Sequence, residues 1–253
     1  MRHPEPRGLV LKQPFVLSDH FDEPELAFGG SGRHLNPKVG IPLYGPHSYG
    51  TVRHKVEVHV GFVGTSESVS RAMEFYRDCA DGVDGDGAHE PFPGFMTDRG
   101  FRSALRTDEQ LVELISRQEE RDLLALSAER ERFEQMLALL SAKLQLLRDK
   151  DYPLDYVAVA LPTDLYQRCR VTDYVDERGR RVHRDLRLAL KSVAMGLRLP
   201  TQIIRESTYG RSPKQSKGKG ADHPAKIAWN LFTGLYFKAD CLPWAPTHLP
   251  PAS

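Results

Sequence analysis

Arg187 and Lys191 stand four residues apart in RDLRLALKSVAMGLR, where Leu186, Ala189, Leu190, Val193, Ala194 and Leu197 recur along one side of a helix. Residues at that spacing share a helix face, so the two cationic heads project together. They repel each other unless an anion lies between them. Downstream, Gln202 belongs to the short apolar run LPTQIIRE, and Lys238 lies in LYFKAD on a further helix-forming stretch. Three cations and an amide converging from separate elements would suit a phosphate monoester, which is held by charged and neutral hydrogen-bond donors together. The same residues also fit ordinary roles: solvated helix cations, a satisfied polar group, and a lysine favoured by the dipole at a helix C-terminus. Spacing by itself leaves both readings open.

The surrounding charge narrows the class of ligand. Residues 177 to 219 contain twelve Arg or Lys against Glu177, Asp185 and Glu206, a local +9 in a chain whose total is +1, so the remainder carries about −8. One basic region on an otherwise acidic chain points to a polyanion bound in one place, or to a solvated basic loop, and argues against diffuse adhesion. With 253 residues, 40% of them hydrophobic and 27% charged, the chain can bury a sizeable core. Cys79, Cys169 and Cys241 form no CxxC or CxxH pair, which fits a reducing, cytoplasmic setting. The N-terminal MRHPEPRGLVLKQPFVL lacks a signal-peptide core, and no later run is long and apolar enough to span a bilayer, so no membrane partner is expected.

Positioning such residues requires a scaffold, and its elements can be read along the chain. Residues 1–50 are rich in Gly and Pro and read as an extended N-terminal arm. KVEVHVGFVG (55–64) alternates as a strand, with Thr65 and Ser66 as candidate caps of a helix through Cys79. A loop at 81–95 and a short strand in RGFRSAL follow. From Thr107 to Lys150 the sequence is free of Gly and Pro and reads as a long helix. Its Phe133, Leu137, Leu140, Leu144 and Leu147 would suit a coiled-coil seam or a crossover helix on a sheet, and two heptads favour the crossover. DYVAVALP (155–162) is apolar enough for a strand covered on both faces. A loop at 170–182, the helix 184–198, the strand 199–206, and a helix capped by Asp222 with Pro224 in its first turn complete the series. The fold class is therefore α/β, a Rossmann-like parallel sheet flanked by helices, with the arm at 1–50, the domain at 51–244 and a tail at 245–253. Ligands of such domains sit beyond the carboxyl ends of strands, here after Leu161 and Ile204.

Other candidates are weaker. RSPKQSKGKG (211–220) has no P-loop register and reads as an electrostatic flap or a disordered insertion. GFVGTSES has too few glycines for a dinucleotide fingerprint, which weighs against a nucleotide-dependent α/β enzyme. Asp84, Asp86, His89 and His183 match no metal-ligand spacing and read as solvated loop residues.

EPELAFGGSGRHLNPKVGIPLYGP (23–46), VEVHVGFVGTSES (56–68), FPGF (92–95), DYVAVALP, DLRLALKSVAMGLRLPTQIIRE (185–206) and AWNLFTGLYFKADCLPW (228–244) together resemble the Argonaute family, in the family's order. The resemblance is to the MID domain of short prokaryotic Argonautes with the linker-like segment before it. It implies that Arg187, Lys191, Gln202 and Lys238 bind the 5′-phosphate of a single-stranded guide RNA or DNA. Gly234 stands where some members have a further lysine, with Arg205 as the substitute. It implies that Tyr174 and Arg187 contact the first base. It implies a Mg²⁺ ion bridging guide phosphates beside Gln202, helped in many prokaryotic members by the C-terminal carboxylate. A PIWI domain with any slicing carboxylates would follow Pro243 and Trp244. The chain is thus expected to be non-catalytic alone and to act in prokaryotic antiviral defence. Its expected companions are a PIWI-containing remainder and an APAZ-containing effector with a TIR, Sir2 or nuclease domain. A helix-mediated assembly protein is the competing class.

Overall fold

The computed structural model describes residues 23–210 and 222–248. Residues 1–22 of the arm, the basic loop 211–220 and the end of the tail lie outside the described residues. The described arm holds β1 (Leu26–Ala27), β2 (Arg33–His34) and the helix α1 (Pro37–Tyr44), so it is not simply extended. Of the Pro and Gly that suggested a loop, Pro37 and Gly45 bound the helix, while Gly40 and Pro42 lie inside it. Asn36 accepts the Lys38 N–H at 2.9 Å, Pro37 takes the first helical position, and Gly45 ends the helix at φ 75°. Phe28 and Ile41 join the main core.

Strand β3 (Glu57–Thr65) runs into α2 (Ser66–Ala80), with the Thr65 hydroxyl accepting the Ser68 N–H. After β4 (Ala104–Arg106) the expected long helix is broken into β5 (Val112–Ile115), α3 (Arg117–Ala125) and α4 (Glu129–Arg148). Helix propensity loses here to tertiary pairing, because the edge of β3 takes up the backbone of Val112–Ile115 in a parallel ladder. Ser116 and Glu119 then restart the helix with a reciprocal capping box. Arg132, almost fully buried, holds the break between α3 and α4 by donating to the carbonyls of Leu126 and Arg168. Phe133, Met136, Leu140, Leu144 and Leu147 of α4 are buried against the sheet, as a crossover helix requires.

All six residues of β6 (Tyr156–Leu161) are buried. Beyond α5 (Thr163–Cys169), the region read as a loop is an antiparallel hairpin of β7 (Val171–Val175) and β8 (Arg181–Asp185). Asp176 receives the N–H groups of Arg178 and Arg180, and Gly179 turns the chain at φ 74°. Then come α6 (Leu186–Gly196), β9 (Thr201–Arg205), the single turn α7 (Glu206–Tyr209), α8 (Pro224–Lys238) and β10 (Ala245–Pro246). The cap of α8 is His223, whose Nδ1 accepts the Ala225 N–H; Asp222, the expected cap, pairs instead with Lys226.

The main sheet is parallel and ordered β4, β3, β6, β9, with β5 sharing the edge of β3 beside β4. A small antiparallel sheet joins β10, β1 and β2, so both ends of the described chain meet. Alternation along the strands sends Val58, Val60, Phe62, Tyr156, Ala158 and Ala160 toward α2 and α8, and Val63, Val157, Val159 and Leu161 toward α4, α5 and α6. Cys79, Cys169 and Cys241 are free and buried. Gly64 lets β3 approach β6: a Cβ there would lie 1.9 Å from the Ala160 carbonyl oxygen. Gly64→Ala is accordingly expected to lower folding stability by at least ~2 kcal/mol, the cost of forced overpacking, read as a reduced urea midpoint.

Candidate functional site

Among the described residues, strand β9 is an edge strand whose one neighbour is β6, in the register Val157↔Thr201 to Leu161↔Arg205. Its open side faces a groove of about 1230 Å³ between α6 and α8. The location departs from expectation. The groove runs along the flank of β9 from Thr201 to Arg205, reaching the carboxyl end only at Arg205 and Thr208. The turn after Leu161 is otherwise engaged: Thr163 gives its N–H and hydroxyl to Glu206, at 3.2 and 2.8 Å. An unpaired strand side between two helices leaves space that the ends of the inner strands do not.

Local sequence aims the cations into this space. Asp185 caps α6 by accepting the Leu188 N–H at 3.1 Å, and Leu186, Leu190 and Ala194 are buried in the core shared with α4. That seating brings Arg187 and Lys191 to the groove wall, both exposed. On the opposite wall, Ala228, Trp229, Phe232, Leu235 and Tyr236 seat α8 in the other core. The Tyr236 hydroxyl, 3.0 Å from Ser48 Oγ and 3.2 Å from His54 Nδ1, secures the helix's last turn. Burial keeps the His54 imidazole below its usual pKa, and the Arg102 carbonyl, 2.9 Å from Nε2, accepts its proton. Lys238 ends α8. Its Nζ donates to Gln202 Oε1 at 2.6 Å and to the Thr201 carbonyl at 3.2 Å, and lies 5.6 Å from the Tyr156 ring centroid.

Arg187, Lys191, Gln202, Arg205 and Lys238 thus line one groove. Among the described residues, no carboxylate pairs with any of the four cations, and none of the groove-lining residues is Asp or Glu. Elsewhere the acids are spent on other bases: Arg184 meets Glu134, Lys55 meets Asp155, and Glu206 takes Arg71 at 3.0 Å. These bonds from Thr163 and Arg71 hold the Glu206 carboxyl below its ordinary pKa. Burial pushes the Lys238 ammonium below its ordinary 10.5, and the charges of Lys191 and Arg187 push it further. Such a set of mutually repelling cations is electrostatically ready for an anion.

One wall residue escaped the sequence reading. Arg198, just past α6 at φ 53°, also lines the groove. It follows Lys191 by seven residues, but α6 ends at Gly196, so helical spacing alone does not place it on the wall. Tyr174 is not brought to the groove. It lies on the β7–β8 hairpin with the Arg130 guanidinium 4.1 Å from its ring centroid. Gly234, one turn before Lys238, has open space where a side chain would stand.

Asp86, His89 and His223 bring potential metal-ligand atoms within 4.8 Å of one another, whereas His183 pairs with Asp173 instead. Asp86 is exposed on its loop, and His89 Nδ1 lies 2.8 Å from Asp86 Oδ1. His223 Nδ1 already accepts the Ala225 N–H, so the neutral ring carries its proton on Nε2, which lies 3.6 Å from Asp86. A metal at Nε2 would have to displace that proton and the helix cap with it, so the trio acts as a clasp between the 81–95 loop and α8.

No protein-family model and no curated protein matches the chain. Among solved structures it is similar to Aa-Ago, crystallised with externally bound siRNA, at 15% identity and a TM-score of 0.52 over 91% of this chain and 25% of that one. It also aligns with Clostridium butyricum Argonaute bound to a guide DNA (5′ deoxycytidine) and a 19-mer target DNA, at 15% identity and a TM-score of 0.48 over the same shares. The first likeness establishes an Argonaute-like fold, with the Rossmann-type parallel sheet of a MID domain. The chain spans about a quarter of the length of either protein.

The sign of the Lys238 shift gives a test of the groove's electrostatics. An ammonium that binds its proton less tightly when folded destabilises the fold at neutral pH, and this penalty is relieved as pH rises toward 10.5. Lys191→Gln removes part of the repulsion and should raise the midpoint of thermal unfolding at low salt, with the gain shrinking as salt is added. A lowered midpoint would show that Lys191 makes a stabilising contact instead.

Proposed function

We propose that this chain binds the 5′-phosphorylated end of a single-stranded guide nucleic acid as the MID part of an Argonaute-like protein. The observation that carries this reading is the convergence of Arg187, Lys191, Lys238 and Gln202 on one groove in which no described residue offers a carboxylate to neutralise them. A terminal phosphate offers about −2 charge and three acceptor oxygens, which answers three cations and an amide better than a neutral or singly charged ligand does. The fold likeness to Aa-Ago, a protein crystallised with siRNA, adds support. Arg187 contributes a planar guanidinium able to pair with phosphate and to stack on an unpaired base. Within this reading the chain binds and does not cleave. Its companions are a PIWI-containing remainder and an APAZ-containing effector, in a prokaryotic defence role in the cytoplasm.

Two measurements test the reading. Fluorescence anisotropy with matched 5′-phosphate and 5′-hydroxyl oligonucleotides, both RNA and DNA, should show tighter binding of the phosphorylated form. Lys191→Ala should cost about 10- to 100-fold in affinity, the range for losing a charged hydrogen bond, and erase that preference. Equal affinity for both forms in the unmodified protein defeats the assignment. In the opposite direction, Gly234→Lys fills open space on the helix face of Lys238 and replaces a poor helix former, so it should tighten phosphate binding without loss of stability.

A further inference from the structure

Gln202 and Lys238 decide how the groove treats a second kind of ligand, a divalent cation. An ammonium only donates, so the 2.6 Å contact from Lys238 Nζ must be accepted by the carboxamide oxygen of Gln202. The orientation of the amide follows: Oε1 is committed to Lys238, and the NH₂ is left to donate to an anion. One of the two lone pairs on the oxygen through which Gln202 would ligate Mg²⁺ is thus taken by Lys238, and a metal at the other would face the ammonium's positive charge. The Thr201 carbonyl beside it accepts from the same ammonium at 3.2 Å.

The rest of the lining is equally unsuited. Mg²⁺ requires octahedral oxygen ligation and is held by one or two carboxylates together with substrate phosphates. No described residue lining the groove is Asp or Glu, while Arg187, Lys191, Arg198, Arg205 and Lys238 all are cationic. Charge balance leads to the same result. The five cations already exceed the charge of a terminal phosphate, about −2, and one phosphodiester, −1. A divalent ion would add to that excess.

We propose that the groove takes its terminal phosphate without a divalent cation, the Lys238 ammonium standing in the place a metal would fill and Gln202 acting as a donor to phosphate and not as a metal ligand. This rests on the guide-end reading above. The test is anisotropy on the full 253-residue chain with a short 5′-phosphorylated single-stranded oligonucleotide, in EDTA and in excess Mg²⁺ at matched ionic strength. The expected Kd differs by no more than about twofold between the buffers, and Lys238→Met weakens binding about tenfold or more in EDTA. A Kd at least about tenfold weaker in EDTA, with the preference for phosphate over hydroxyl restored by Mg²⁺, overturns metal independence and leaves the guide-end reading intact. Unchanged binding by a folded Lys238→Met overturns the role of Lys238. No preference for phosphate in either buffer overturns the guide-end reading itself. The comparison of buffers uses the unaltered protein, so it decides the matter even if Lys238→Met does not fold.

Discussion

Positive charges that repel one another are held together here by the burial of the helices that carry them. Two unit charges 4 Å apart repel by about 4 kcal/mol at an effective dielectric of 20, and by less as they separate. Fully burying one large apolar side chain contributes ~1.5–3 kcal/mol. Helix α6 commits Leu186, Leu190 and Ala194 to one core, and α8 commits Phe232, Leu235 and Tyr236, among others, to the other. The packing on both faces therefore outweighs the repulsion across the groove, and the cations stay in place with no described acidic residue between them.

The sheet sets where this can happen. Strand β6 is buried along its whole length, which makes it an inner strand and leaves β9 at the edge. Helices on opposite faces of the sheet then overhang the open side of β9, and the residues at their margins face each other across it. Lys238 reaches the strand because it is the last residue of α8 and Tyr236 anchors that last turn to Ser48 and His54. The segment before β3, which packs Phe28 and Ile41 into the same core, thus helps place a residue of the groove nearly two hundred positions later.

Two features that competing uses of the same sequence would draw on are otherwise engaged in this arrangement. The apolar seam of α4 is consumed by the sheet, so it is not free to form a coiled coil. The β3 to α2 turn is closed by Thr65 and Ser68 and by the close approach at Gly64, and it offers no glycine-lined cradle for a dinucleotide. What remains exposed and unneutralised is the basic flank of β9.

Much of this was readable from residue order alone. The strands at β3, β6 and β9, the helices α2, α6 and α8, the buried face of α4 and the shared face of Arg187 and Lys191 follow from periodicity, because period and burial are linked within one element. Convergence of Gln202 and Lys238 with that pair entered from family resemblance, since no local rule relates residues 36 positions apart. Other features depended on tertiary contact. The open edge of β3 turned Val112–Ile115 into a strand inside a helix-favouring stretch, and pairing across Gly179 turned a loop into a hairpin that carries Tyr174 away from the groove. The contact between Lys238 and Gln202, which sets the direction of an amide, is a matter of two side chains 2.6 Å apart. Residue types along a chain record which groups are present and which face they share; which lone pair is already taken depends on what the fold brings beside it.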